Sequence, residues 1–172
     1  MVTARLAVAT ESDLGLVLDI LAEAAIWLRD ERGIPHQWSP AFPHEKFAQA
    51  ARDRELYLIC SGQVLAGTVR IQLADERVWG RDDGTAVYCH SLAIRRRHSG
   101  QGLGGAALNA AQELGAALDR PVLRLDCMAS NSGLRRYYEE LGFQGRGEVT
   151  YSIEDGARWT CMRYERPALP AA

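Results

Sequence analysis

The residues best suited to chemistry lie together at Arg95-Arg96-Arg97-His98-Ser99-Gly100-Gln101-Gly102-Leu103-Gly104-Gly105. A turn this rich in glycine lets backbone N–H groups crowd around an anion, because no Cβ stands in the way. A helix predicted to start at Leu103 aims the positive end of its dipole at the same spot. The arginines ahead of the turn add charge. Together these features describe a seat for a phosphate or pyrophosphate.

The same glycines, Gly100-x-Gly102-x-x-Gly105, also fit the dinucleotide-binding fingerprint, and Asp126 falls near the position of a ribose-binding acid. Two features weigh against that reading. In the dinucleotide fold the strand runs almost directly into the first glycine, whereas here Arg95 to Ser99 intervene. The turn also lies mid-chain with a single β-α-β unit around it, which leaves no place for a second mononucleotide half. A helix start that binds nothing is the plainer alternative.

The spacer is accounted for by Arg97-x-x-Gly100-x-Gly102, which resembles the Arg/Gln-x-x-Gly-x-Gly/Ala turn of the GNAT superfamily of N-acetyltransferases. Leu92-Ala93-Ile94 resembles the end of that family's central strand. Asn131-Ser132-Gly133-Leu134-Arg135-Arg136-Tyr137-Tyr138-Glu139-Glu140-Leu141-Gly142-Phe143 resembles its second motif, an Asn followed by Tyr-Glu-x-Leu-Gly-Phe. The two stand in the family's order, one helix and one strand apart, and cover about Tyr88 to Phe143.

The resemblance implies an α/β fold of GNAT type: a mixed, mostly antiparallel sheet of about seven strands flanked by about four helices. It implies acetyl-coenzyme A as acetyl donor; the residues themselves suggest no metal site. The pyrophosphate of coenzyme A would take the amides of Gly100, Gln101, Gly102, Leu103 and Gly104, with Arg97 beside them. Its pantetheine arm would pair with the backbone of Leu92, Ala93 and Ile94, as an added strand does. Asn131 is either a further cofactor contact or a helix cap, and Arg136 either reaches the 3′-phosphate or is simply solvated.

The implied reaction is direct attack by a primary amine on the thioester in a ternary complex, with no covalent acyl-enzyme. The leaving thiolate needs a proton, and the family uses a tyrosine at the position matching Tyr138. Asn131 and Tyr138 are about two helical turns apart, which puts them on one face. The plainer reading of Tyr138 is a core aromatic with its hydroxyl at the rim. The amine must also lose a proton before attack. A lysine-like amine has a pKa of ~10.4 against ~6.5 for imidazole, so a histidine base helps only if the site lowers the amine's pKa. His90 is the leading base. Tyr88-Cys89-His90-Ser91-Leu92-Ala93-Ile94 resembles the His-x-His-x-Leu-Ala-Val strand of the arylalkylamine branch, with Tyr88 in place of the first histidine. The alternative is a ring satisfied in the core or at a strand end. Glu11, Asp75, Glu76 and Asp126 are further acids with no special claim, and His98 belongs to the phosphate turn.

The acceptor is read less directly. Trp27, His36, Trp38, Phe42 and Trp79 either receive a flat or apolar amine or anchor loops on the sheet. A small-molecule amine is the favoured acceptor. A protein N-terminus or lysine is the alternative, and a non-catalytic acyl-coenzyme A-binding module is a third reading that Tyr138 argues against. The resemblance also raises a homodimer, although no isolated interface element stands out.

Several elements must position these groups. Arg5 to Ala9 reads as a strand. Thr10-Glu11-Ser12-Asp13 reads as a helix start, with a capping hydroxyl and an acid behind it, and Leu14, Val17, Leu18, Leu21, Ala25 and Leu28 continue at helical spacing to about Arg29. A Pro/Trp loop follows Gly33, and a shorter helix opens near Pro43. Glu55 to Cys60 and Val64 to Leu73 form a hairpin about Ser61-Gly62-Gln63. The polar stretch from Ala74 to Gly84 is a surface loop. A strand at Ala86 to Ile94, a helix at Leu103 to Leu118 and a strand at Val122 to Cys127 make the β-α-β unit. A helix at Gly133 to Leu141 and strands near Phe143 to Ser152 and Arg158 to Tyr164 complete one domain over residues 1–166, with 167–172 as a frayed tail.

At 172 residues, 47% apolar and 24% charged, the chain has the composition of a globular domain with a real core. Its formal charge of −2 speaks against broad nucleic-acid binding, which needs an excess of Lys and Arg. No apolar run approaches a membrane span, and the first residues lack the blocks of a signal peptide, so a cytoplasmic protein is expected. Cys60, Cys89, Cys127 and Cys161 are far apart and fall on predicted strands, as buried reduced thiols would.

Overall fold

The computed structural model describes residues 2–33, 41–152 and 156–167. Seven strands form one sheet in the order β1-β2-β3-β4-β5-β7-β6. They are β1 (Arg5–Val8), β2 (Leu56–Ser61), β3 (Val64–Gln72), β4 (Ala86–Ile94), β5 (Val122–Met128), β6 (Gln144–Ser152) and β7 (Arg158–Arg166). The helices are α1 (Leu14–Asp30), α2 (His44–Arg52), α3 (Glu76–Trp79), α4 (Leu103–Ala117) and α5 (Ser132–Glu140), with 3₁₀ turns at Glu11–Asp13 and Arg96–His98. The expected mixed architecture is present, with five helices among the described residues against the four or so expected. Among the described residues no helix is long and apolar enough to cross a membrane. His36 and Trp38 lie outside the described residues, as does the chain from 168 onward.

The chain divides into two compact units, Met1–Ile71 with His90–Ala110, and Gln72–Cys89 with Ala111–Ala172. In the first unit, the Asp13 carboxylate accepts the Thr10 N–H and hydroxyl, each at 2.8 Å, and so starts the helical segment as its sequence suggests. α1 then buries Leu14, Val17, Ile20, Leu21 and Ala25. The first four of these pack with Phe47, Ala48, Ala51, Leu56 and Ala93 into one cluster. Val17, Ile20 and Leu21 are fully buried, and burial of such side chains stabilises the fold by about 1.5–3 kcal/mol each. The β2–β3 hairpin forms where expected, with a register shift at Ile59/Cys60.

Gly67 on β3 marks a close approach to β4. A methyl group there would collide with the Ala93 carbonyl oxygen and lie 2.9 Å from Ile94 Cδ1. The nearer of the two is backbone, which cannot swing aside as the end of a side chain could. Gly67→Ala is therefore expected to destabilise the protein by about 1–3 kcal/mol through overpacking. Thermal melting of the purified variant checks this, and an unchanged melting temperature would mean that β4 yields without cost.

In the second unit, β4 and β5 run parallel in register from Ala86↔Val122 to Cys89↔Leu125, and each strand continues beyond that ladder. β7 pairs antiparallel with β5 on one side and β6 on the other. The stretch read as a loop between β3 and β4 contains α3, because the Asp75 carboxylate accepts the Val78 N–H at 3.3 Å and caps a single turn. Arg124 joins several elements here. It bonds Asp83 at 2.9 Å and Glu165 at 2.8 Å and stacks on Trp79, 5.0 Å from its ring centre. The four cysteines all lie on strands and carry no disulfide. Burial pushes the thiols of Cys89, Cys127 and Cys161 up to about 12, which leaves them protonated and inert near neutral pH.

Candidate active site

The glycine turn belongs to the first unit and has the geometry of an anion cradle. Gly100 and Gly102 take φ angles of 75° and 76°, which L side chains rarely adopt. A Cβ at Gly100 would meet nothing within 4 Å, and one at Gly102 would meet only Val2 Cγ2 at 4.0 Å. The space beside the turn is therefore open on the glycine side. The helix ladder begins with the Ala106 N–H donating to the Gly102 carbonyl at 3.1 Å. The N–H groups of Gly102, Leu103, Gly104 and Gly105 precede it, so they have no i−4 carbonyl partner within the helix.

The arginines before the turn do not act as one cluster. The Arg95 guanidinium pairs with Glu23 of α1 at 3.1 Å, and Arg96 stacks on Trp27, 3.6 Å from the ring centre. Arg97 is exposed, and its Nε donates to His98 Nε2 at 3.1 Å. Of the three, Arg97 alone stays on the turn, and it is the one in the motif position.

The strand leading into the turn holds His90, Leu92, Ala93 and Ile94. Ala93 is buried at 4% exposure, whereas His90, Leu92 and Ile94 are half-buried. The Arg95 N–H donates to the Ala66 carbonyl at 2.8 Å, which fixes the strand's exit. Between His90 and Leu92, Ser91 takes φ 51°. A left-handed residue inside a strand breaks the alternation and re-aims the groups that follow, a feature associated with bulges beside functional sites. Nothing in the sequence marks it, because serine carries no conformational signature as glycine does.

Tyr138 and Asn131 belong to the second unit. Asn131 caps α5, its Oδ1 accepting the Leu134 N–H at 3.0 Å. The cap reading of Asn131 is thus realised, and it fixes where the helix carrying Tyr138 begins. The far end is fixed as firmly. The Gly142 N–H donates to the Glu139 carbonyl and the Phe143 N–H to the Tyr138 carbonyl, both at 3.0 Å, with Gly142 at φ 83°. This paired closure needs glycine at its left-handed position, and it folds the next apolar side chain back onto the helix. Phe143 accordingly packs on Tyr138 with ring centres 5.7 Å apart, and Tyr164 lies 5.8 Å away. Tyr138 is 7% exposed, and burial raises its hydroxyl well above the usual value of 10. The group is therefore a proton-bearing phenol throughout the neutral range.

Glu11 pairs with Arg52 at 2.9 Å, Asp75 caps α3, and Arg136 is exposed on α5. The guanidinium groups of Arg124 and Arg163 lie over Trp79, at 5.0 and 5.6 Å from its ring centre. Phe42 packs edge-on against Phe47 at 5.7 Å. Both arrangements match the anchoring alternative for these aromatics. The Glu23 and Trp27 contacts to the arginines were not foreseen, since they join residues some seventy positions apart in the chain.

A sequence model described as the acetyltransferase (GNAT) family matches residues 21–143. The chain is 31% identical over 148 residues to YesJ of Bacillus subtilis (strain 168), named as an N-acetyltransferase, and the match covers 81% of each protein. Among solved structures, a GNAT-family acetyltransferase from Listeria monocytogenes 4b F2365 superposes with a TM-score of 0.74 at 27% identity, covering 95% of this chain and 94% of that one. AAC(6')-Ib in complex with ribostamycin and coenzyme A superposes at 0.72 and 19% identity, covering 96% and 93%.

Proposed function

The chain belongs to the acetyltransferase (GNAT) family and is an N-acetyltransferase, and from that premise we propose that it acetylates a primary amine of a small molecule by direct attack in a ternary complex. Acetyl-coenzyme A supplies the acetyl group as a thioester. The observation that carries the reading is the open glycine turn, whose main-chain donors sit ahead of the α4 ladder with no Cβ between them and an incoming diphosphate. Gly100, Gln101, Gly102, Leu103 and Gly104 hold that diphosphate, and Arg97 adds charge from the same turn. The backbone of Leu92, Ala93 and Ile94 binds the pantetheine arm in the manner of an added strand. Bringing amine and thioester together supplies much of the rate. Tyr138 donates a hydrogen bond from its hydroxyl to the departing sulfur, and His90 takes the proton of the amine.

The likeness to AAC(6')-Ib supports a small acceptor at the level of fold, since that protein is seen with ribostamycin. The test is thiol release from acetyl-coenzyme A with a panel of small primary amines, N-terminal peptides and lysine peptides. Turnover is expected to be fastest with a small amine. Faster turnover with peptides would move the acceptor to a protein, and binding without turnover on any amine would favour a non-catalytic module.

His90 has its own test. A positioned side chain that takes the proton typically contributes about 10²–10⁴-fold, so His90→Ala is expected to lower kcat/KM by about a hundredfold with coenzyme A affinity near wild type. Turnover close to the wild-type value in the variant assigns the proton to another group or to solvent.

A further inference from the structure

The pyrophosphate turn is short, glycine-rich and exposed at Arg97, Ser99, Gly100, Gln101 and Gly102, so something must hold its entry rigid. We infer that Glu23 of α1 is the positioning residue that sets the pyrophosphate turn, and that Trp27, one helical turn further on, completes the clamp. The inference rests on the coenzyme A reading of the turn given above.

Three contacts meet at the entry. The Glu23 carboxylate accepts the backbone N–H of Arg96 at 2.6 Å through Oε1, and the Arg95 guanidinium at 3.1 Å through Oε2. The Arg96 guanidinium lies over Trp27, its Cζ 3.6 Å from the ring centre. Positions i and i+4 share one face of a helix, so Glu23 and Trp27 present a single edge to successive arginines. The indole is itself oriented, its Nε1 donating to Glu31 at 2.9 Å. The side chains of Glu23 and Arg95 are 33% and 15% exposed, which puts the pair out of the reach of full solvent screening.

The main-chain bond distinguishes this arrangement from an ordinary ion pair. Arg96 opens the 3₁₀ turn Arg96–His98, and its N–H is the first group after β4 leaves the sheet. A carboxylate from another element that binds this N–H fixes the direction in which the turn departs. Glycines alone cannot do this, because their conformational freedom raises the cost of ordering the turn when a ligand arrives. Neutralisation by Arg95 also matters. It allows an acid to stand at the base of an anion site without repelling the anion.

The test compares wild type with Glu23→Ala and Glu23→Gln by calorimetric titration with coenzyme A, and by amide hydrogen exchange of the unliganded proteins across residues 96–104. Losing a charged acceptor at a partly buried N–H is expected to weaken coenzyme A binding about tenfold in Glu23→Ala. Exchange should speed up in 96–104 while the α1 and β2 amides stay protected. Glu23→Gln keeps an oxygen for the Arg96 N–H, so its exchange should stay near wild type and its affinity should fall by less than about threefold. A role confined to general stability predicts the reverse pattern, with faster exchange spread over α1 and no rescue by glutamine. Wild-type affinity in Glu23→Ala overturns the clamp alone. Absence of binding heat in the wild type overturns the coenzyme reading of the turn, and the clamp's role in it.

Discussion

Gly102→Asp is expected to leave a folded protein that no longer binds acetyl-coenzyme A. Two effects on the fold oppose each other. The substitution places an L residue at φ 76°, a left-handed conformation that costs on the order of 1 kcal/mol for a non-glycine residue. Yet Gly102 is also the residue whose carbonyl accepts the first bond of α4, from the Ala106 N–H. That is the N-cap position, where aspartate is favoured over glycine by only about a few tenths of a kcal/mol. The melting temperature of the unliganded variant should therefore stay within a few degrees of wild type. Binding is another matter, because the new carboxylate takes the very N–H groups that the diphosphate needs and adds a like charge beside it. A ligand present at a hundred times its Kd stabilises a protein by about 2.7 kcal/mol, so acetyl-coenzyme A should raise the melting temperature of wild type and leave that of Gly102→Asp unmoved. An equal upshift in both proteins would place the diphosphate away from this turn.

How much of this was legible in the sequence depends on whether the signal was local. β4 is expected at Ala86 to Ile94, and the structure gives the same limits. α5 was legible through its ends: an asparagine cap at one and Leu-Gly-Phe at the other, whose glycine permits the closure that sets Phe143 against Tyr138. α3 was missed because a four-residue turn carries no periodicity, and its cause is one capping aspartate. The placement of β7 between β5 and β6 was also beyond reach, since strand order is decided by pairing across the sheet. The arginines are the most instructive case. Their spacing to the glycines singled out Arg97, but their charge suggested three phosphate partners. Glu23 and Trp27, far away in sequence, occupy two of them. The left-handed Ser91 shows the same limit: a strained residue is held by its surroundings, and its own type says nothing.

Tyr138→Phe is expected to lower turnover by one to two orders of magnitude with coenzyme A affinity within about twofold of wild type. The substitution keeps the ring, and with it the contacts to Phe143 and Tyr164 at 5.7 and 5.8 Å, so the fold should not suffer. The size of the effect follows from the proton's energetics. Burial lifts the phenol well above 10, while an ordinary thiol titrates near ~8.5, so complete transfer from Tyr138 to the sulfur is uphill. Its main contribution is then a hydrogen bond that strengthens as negative charge grows on the sulfur. A hydrogen bond to a charged group contributes about 1.5–3 kcal/mol, which corresponds to roughly tenfold to a hundredfold in rate. A full general acid would contribute up to about 10⁴-fold, and the elevated phenol argues for the smaller figure. The sign of the pH dependence follows as well. The hydroxyl is protonated below its raised pKa, so kcat of the wild type should show no alkaline loss from this group until above about pH 10. A turnover in Tyr138→Phe equal to wild type would strip Tyr138 of any role toward the sulfur. A fall of four orders of magnitude would mean instead that bound acetyl-coenzyme A brings the phenol's pKa down towards that of the thiol, so that Tyr138 transfers its proton fully in the ternary complex.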